Sequence, residues 1–256
     1  MNFQKIKEYL GKYKEQRLGI SDCGEWWKNH RSYKYILPVE KKYENIIDEG
    51  FKEKLIEMMP EKKIHLGFHH LNSSQALVLN LFGPLVKTNN LKVIDSDFEA
   101  LDLNSDFEYV ENQKEGTNFD FYLGCPDSRN YFEVKYTEQK FSSAKDDPSH
   151  RQKYAEIYKS DLKAISDISE NEFYKNYQLW RNILYAQKGN VFFVLSKFRT
   201  DLMEKVKKAK ELIKEENIKK NVKILVIDSL VAKCKEIPDL KKHYEEFEKK
   251  YLDFEK

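Results

Sequence analysis

No C-x-x-C pair occurs in the chain. Its three cysteines, Cys23, Cys125 and Cys234, stand far apart. That excludes a cysteine zinc site and a disulfide framework, and it fits a reducing cytoplasm. No charge of either sign dominates: 45 Lys and Arg face 43 Asp and Glu, for a net charge of +2. A groove for nucleic acid therefore has to come from local segregation of cations, not from an overall field. Glycine and proline are scarce, 9 and 6 of 256 residues, and no flexible linker separates two halves. No apolar run approaches the ~20 residues of a membrane span. The opening MNFQKIKEYLGKYKEQ lacks the apolar centre of a signal peptide. The expectation is a cytoplasmic protein with no membrane contact.

What is present is the material of a core. Hydrophobic residues make up 40% of the chain and aromatics 14%, which places it among globular proteins. Residues 1–60 read as a mostly helical extension, interrupted by SDCGEWW and by Pro38. Helical spacing of Ile46, Ile47, Phe51, Leu55 and Met59 predicts a helix over 43–59. Asn72, Ser73 or Ser74 can cap a second, buried helix, which Gly83-Pro84 is expected to end at Phe82. Strands are predicted over 107–110, 119–123 and 131–137, then helices over 150–165 and 172–187. Two short apolar strands follow, NVFFVL at 190–195 and VKILVI at 222–227, with a capped charged helix between them and a last helix over 237–256. The lysine-rich runs at 205–220 and 241–256 alternate with glutamate and read as solvated faces. This order predicts one α/β domain over residues 1–256, with a mixed sheet flanked by helices and its core over 72–228.

The stretch NFDFYLGCPDSRNYFEVKY, residues 118–136, reads as a hairpin. Alternation puts Phe119, Phe121 and Leu123 on one face and Asp120 and Tyr122 on the other. In the second strand Tyr131, Glu133 and Lys135 form the polar set. Pairing Leu123 with Asn130 brings Asp120 opposite Glu133, with Lys135 next on the same face. A wet hairpin face is the bland reading of this pattern. The sharper one is a metal site. Two carboxylates on neighbouring strands suit Mg²⁺, which keeps several waters, and a lysine two residues on can orient or help deprotonate a water or steady charge on phosphate. That combination suits metal-assisted phosphodiester hydrolysis.

Asp120 followed by Glu133-Val134-Lys135 resembles the D…(D/E)-x-K signature of the PD-(D/E)XK nuclease superfamily. The core order, helix, three meandering strands, helix, strand, is similar to its restriction-endonuclease-like fold. GEWWKNHRSYKYILP, HHLNSSQALVLNLFGPL, GTNFDFYL, FEVKYTE and YQLWRNILYA look like the blocks of a bacterial restriction-endonuclease-like group. The resemblance implies a Mg²⁺-dependent endodeoxyribonuclease, with Mn²⁺ as a substitute, connected with restriction or defence. Asp120 and Glu133 would hold the metal with the Val134 carbonyl, and Lys135 would be the catalytic lysine. DNA is the implied partner and a homodimer the implied assembly. Two departures stand out. The first core helix carries no acid, where many relatives have a glutamate, and Gln75 occupies the corresponding stretch. Phe119 also precedes Asp120, where the superfamily name has proline.

Gln178, Arg181 and Asn182 share one helical face. Beside the resemblance, Gln178 reads as a companion of the metal site and Arg181 as a phosphate contact; otherwise they form a surface stripe. Glu138 reads as an exposed carboxylate. His69 and His70 read as capping or surface residues, and Trp26 and Trp27 as core. The alternatives to a nuclease are an inactive nucleic-acid-binding module and a structural or interaction protein with a polar hairpin face.

Overall fold

The computed structural model describes residues 3–254 apart from Leu101. Helix α1 (Phe3–Arg17) is followed by a small hairpin, β1 (Gly24–Trp26) and β2 (Arg31–Tyr33), and by helices α2 (Lys52–Glu57) and α3 (Ser74–Lys87). Strands β3 (Asn104–Val110), β4 (Asn118–Cys125) and β5 (Ser128–Lys135) come next. Helices α4 (Pro148–Lys153), α5 (Lys159–Ile165), α6 (Glu170–Lys175) and α7 (Tyr177–Leu184) lead to β6 (Asn190–Leu195). The chain then runs through α8 (Thr200–Glu211), α9 (Glu216–Asn221), β7 (Val222–Val226), α10 (Ile227–Lys235) and α11 (Pro238–Tyr251). The Cα positions group into two compact units: Met1–Leu101 with Val226–Lys256, and Asp102–Leu225.

In the first unit the apolar spacing survives where the expected helix does not. Ile46, Ile47, Phe51, Leu55 and Met59 are all buried. Yet a 3-10 turn occupies Val39–Asn45, and α2 covers only Lys52–Glu57. The segment between turns at Gly50, whose φ is 87°, a conformation glycine takes without strain. Asn45 holds it with its side-chain amide, which donates to Phe68 O at 2.5 Å and His70 O at 2.7 Å.

Helix α3 starts as expected, with Ser73 Oγ accepting from Ala76 N–H, but it does not stop at Gly83-Pro84. It runs on to Lys87. A proline inside a helix leaves the carbonyl four residues back without its N–H partner. Here that carbonyl is Asn80 O, and His243 Nε2 of α11 lies 2.8 Å from it. The neighbouring carbonyl, Leu81 O, accepts from Tyr244 OH at 2.6 Å. Gly83 is needed for packing: a Cβ there would lie 2.2 Å from Leu55 Cδ2. The break signals in GPL are thus absorbed by long-range partners.

The second unit carries a sheet in the order β3-β4-β5-β6-β7. β3 with β4 and β4 with β5 are antiparallel, and β5 with β6 is parallel, so the sheet is mixed as expected. One face packs on the α4–α7 helices through Phe119, Tyr131, Phe193, Leu195, Trp180 and Ile183. The expected helix over 150–165 contains a π-helical turn at Tyr154–Tyr158. The one over 172–187 is broken at Asn176, with φ −122° and ψ 42°. VKILVI is a strand only to Val226; Ile227 opens α10, which the sequence pattern did not announce.

Candidate active site

The assumed hairpin register is the observed one. Leu123 pairs with Asn130, and the pairing runs from Cys125–Ser128 to Phe121–Phe132. There the character of the contact changes. The next link between β4 and β5 is a side chain: Asp120 Oδ2 accepts from Val134 N–H at 2.7 Å. The aspartate carboxylate takes up a β5 backbone donor, which fixes it between the two strands.

The simple alternation in β4 fails at the same place. Phe121 packs on Phe107 and Phe132, with ring centres 4.8 and 5.3 Å apart. Phe119 instead packs on Tyr131 and Tyr185, at 4.9 and 5.0 Å. Phe119 therefore does not share a face with Phe121, contrary to the period-two expectation. The cause lies across the ladder. On β3, Phe107 pairs with Phe121 and Tyr109 with Phe119; between them, facing Asp120, Glu108 has φ +54°. A left-handed residue inside a strand reverses the side-chain alternation after it, and both strands turn together.

Glu133 and Lys135 sit at the C-terminal end of β5, only 2% and 8% exposed. Every contact made with the Glu133 carboxylate is a donor. Lys135 Nζ lies 2.6 Å and Gln178 Nε2 2.7 Å from Oε1, and Asn182 Nδ2 lies 2.8 Å from Oε2. The Gln178 amide is oriented from behind, because Ser142 N–H donates to its Oε1 at 3.2 Å. Asn182 must present nitrogen to a carboxylate, which only accepts. Its Oδ1 is then left buried with no partner.

Burial, then the charges of Glu133 and Glu108, push the Asp120 carboxyl well above the usual carboxylate range, against Lys135 and the Val134 N–H. Burial pulls the Lys135 ammonium down, but Glu133, Glu138 and Asp120 outweigh it and the net shift is upward. Lys135 is a firmly protonated cation among carboxylates.

Glu138 departs from the exposed reading. It is half-buried, and its Oε2 accepts from Tyr136 N–H at 2.8 Å, turning the segment past β5 back toward Lys135. Fully buried Arg199 holds that segment through Tyr136 O at 3.0 Å, while Asp201 binds the other side of its guanidinium.

The remaining candidates are placed as follows. Gln75 lies in the first unit, its Oε1 accepting from His65 N–H at 2.9 Å and its Nε2 donating to Lys63 O at 2.8 Å. Arg181 lies on α7 with its guanidinium 5.2 Å from the Tyr177 ring centre, and its Nε is buried without a partner. His69 is buried, not a surface residue, with Nε2 3.1 Å from Glu25 O, and His70 is half-buried and packs edge-on against Trp26 and Tyr35. Trp27 is 46% exposed, not core. Sequence reasoning missed Glu108, although the alternation of DFEYV faces it toward Asp120.

The fold and this geometry meet in one comparison. The family described as Restriction Endonuclease associating with ARP matches residues 7–252. The chain belongs to that family. Its mixed sheet with flanking helices is accordingly the restriction-endonuclease-like fold. No curated protein and no solved structure matches the chain. No helix among the described residues is long and apolar enough to cross a membrane.

The donor chemistry fits a hard cation. Asp120, Glu133 and the Val134 carbonyl are oxygen ligands of the kind Mg²⁺ takes, and the orphaned Asn182 Oδ1 is an acceptor suited to a bound water's proton. Among the described residues, no three His, Cys, Asp or Glu side chains are gathered as a metal cage.

Proposed function

We propose that this protein is a Mg²⁺-dependent endodeoxyribonuclease acting in restriction or defence. The reading rests on one observation above the others: Lys135, Gln178 and Asn182 converge on the Glu133 carboxylate beside Asp120, where β4 and β5 are linked by a side chain.

Asp120 and Glu133, with the Val134 carbonyl, would hold the cation. Bound there, Mg²⁺ would act as a Lewis acid that neutralises developing phosphate charge and acidifies a coordinated water. Mn²⁺ would substitute. The chain's own groups divide the remaining work. Gln178 and Asn182 fix both oxygens of Glu133 in place. Lys135, held protonated, orients the attacking water and donates to the phosphate rather than taking a proton from the water. Arg181, half-buried beside Tyr177 with an unused Nε, is the proposed phosphate contact on α7. Trp27, exposed at the tip of the β1–β2 hairpin beside Lys28 and Arg31, supports a DNA contact in the first unit. Cutting both strands fits a homodimer. The family description names ARP as an associate, and a partner of that kind belongs to the same proposal.

Supercoiled plasmid and genomic DNA incubated with Mg²⁺, Mn²⁺ or EDTA test this directly. Metal-dependent nicking lost in Glu133→Ala and Lys135→Ala is expected. No cutting by a folded protein, or equal cutting by the variants, would overturn the mechanism in favour of a binding module.

A further inference from the structure

Glu108 has no role in the mechanism above, yet the fold keeps it at a cost. It is 8% exposed, lies in the middle of β3 and adopts φ +54°. For a glutamate that conformation is strained. The paired residues on either side put it across from Asp120: Phe107 with Phe121, then Tyr109 with Phe119. Its carboxylate accepts from Asn118 Nδ2, on the same stretch of β4 as Asp120. Three adjacent strands thus bring Glu108, Asp120 and Glu133 into one row, with Lys135 as the cation on Glu133.

Strain and acidity alone do not identify a ligand. Two buried orphan atoms do. Asn182 is fully buried, and with its nitrogen on Glu133 its Oδ1 has no donor. Asn118, with its nitrogen on Glu108, likewise has a buried Oδ1 without a donor. Each orphan is an acceptor adjoining a carboxylate, at opposite ends of the row. A desolvated acceptor without a partner destabilises the fold. Waters on a cation held between them would supply both missing donors, and the cation's charge would neutralise the row.

We propose that Glu108 is the third acidic partner of the cation, engaged through metal-bound water, with Asn118 and Asn182 as further water acceptors. This rests on the proposed cation site. An outer partner of this kind is worth roughly 10–100-fold in metal affinity.

The test is calorimetric titration of the metal-stripped full chain with Mn²⁺, using wild type, Glu108→Gln, Glu108→Gly and Asp120→Asn. Glu108→Gln keeps the size and an acceptor for Asn118. Glu108→Gly accepts the left-handed backbone and guards against a glutamine variant that fails to fold. The expected result is Mn²⁺ binding by the wild type, weakened about tenfold or more in both Glu108 variants and abolished in Asp120→Asn. In EDTA, both Glu108 variants should melt at or above the wild-type temperature. Wild-type affinity in folded Glu108 variants, with binding lost in Asp120→Asn, would overturn the role of Glu108 and leave the site standing. No Mn²⁺ binding by the wild type would overturn both.

Discussion

Two of the buried lysines, Lys250 in the first compact unit and Lys135 in the second, have surroundings that differ in one respect. Lys250 of α11 places Nζ 2.5 Å from Asn45 O and 2.7 Å from Asn45 Oδ1. Those oxygens are neutral, and burial brings its ammonium down to about 7, with Glu246 opposing. Lys135 is pulled down by burial as well, but three carboxylates overcome that and raise it. Hydrogen-bond acceptors suffice to seat a buried amine; only formal charge keeps it protonated. Lys250 is a structural amine that ties α11 to the segment before α2. Lys135 is a cation kept among acids, an arrangement the proposed chemistry on phosphate would use.

Replacing each lysine by methionine sharpens the contrast, and the largest effect belongs to Lys135. Lys135→Met should lower plasmid cleavage by about 10²–10³-fold or more, the range for removing a preorganised donor. Glu133 would keep its two amide donors, so the fold should persist by circular dichroism. Cleavage at the wild-type rate would remove Lys135 from the chemistry.

Lys250→Met should act on pH dependence instead. The unfolded chain holds the Lys250 proton up to the ordinary lysine range, whereas the folded chain releases it near pH 7. Between those values the unfolded state binds more protons, so stability rises with pH, by on the order of 1 kcal/mol per unit. Lys135 gives no such slope. Its folded affinity is raised, so its contribution is fully present below the ordinary lysine range and is lost only above it. Urea melts of wild type and Lys250→Met from pH 7 to 9.5 isolate the difference. A wild-type slope equal to the variant's would show that Lys250 stays protonated in the fold.

The same two regions show how far the sequence could be read. In the second unit the hairpin register, Asp120, Glu133 and Lys135 were legible, because alternation and spacing are local. Phe119 was misplaced because the reversal comes from a left-handed residue on the partner strand, which no period reports; Glu108 lay within the alternation of DFEYV and was passed over. In the first unit the buried set Ile46 to Met59 was legible, but its helix was not. Asn45 bonds to carbonyls more than twenty residues away, and such a bond leaves no mark in local sequence. Pro84 reads as a stop until His243, from the far end of the chain, takes the carbonyl it frees. Lys250 sits in a Lys/Glu run that reads as solvated face, and only packing distinguishes it from its neighbours.

Asp120→Asn gives the smallest effect on stability and probes the acidic side of the comparison. Burial and the neighbouring acids hold the Asp120 carboxyl above its unfolded value. Its ionised form is therefore a load on the fold, growing as pH rises through that raised value. Asparagine removes the charge and keeps an Oδ1 acceptor for the Val134 N–H. The metal-free variant should be about 1 kcal/mol more stable than the wild type near neutral pH, while cutting no DNA. Mg²⁺ should reverse the order, because it stabilises only the chain that binds it. Thermal melts of both chains in EDTA and in Mg²⁺ read all four states. An Asp120→Asn protein that melts lower in EDTA would mean that Asp120 is there to brace the splayed strands. One that melts higher, and ignores Mg²⁺, would mean that the strain at this site is maintained for a cation.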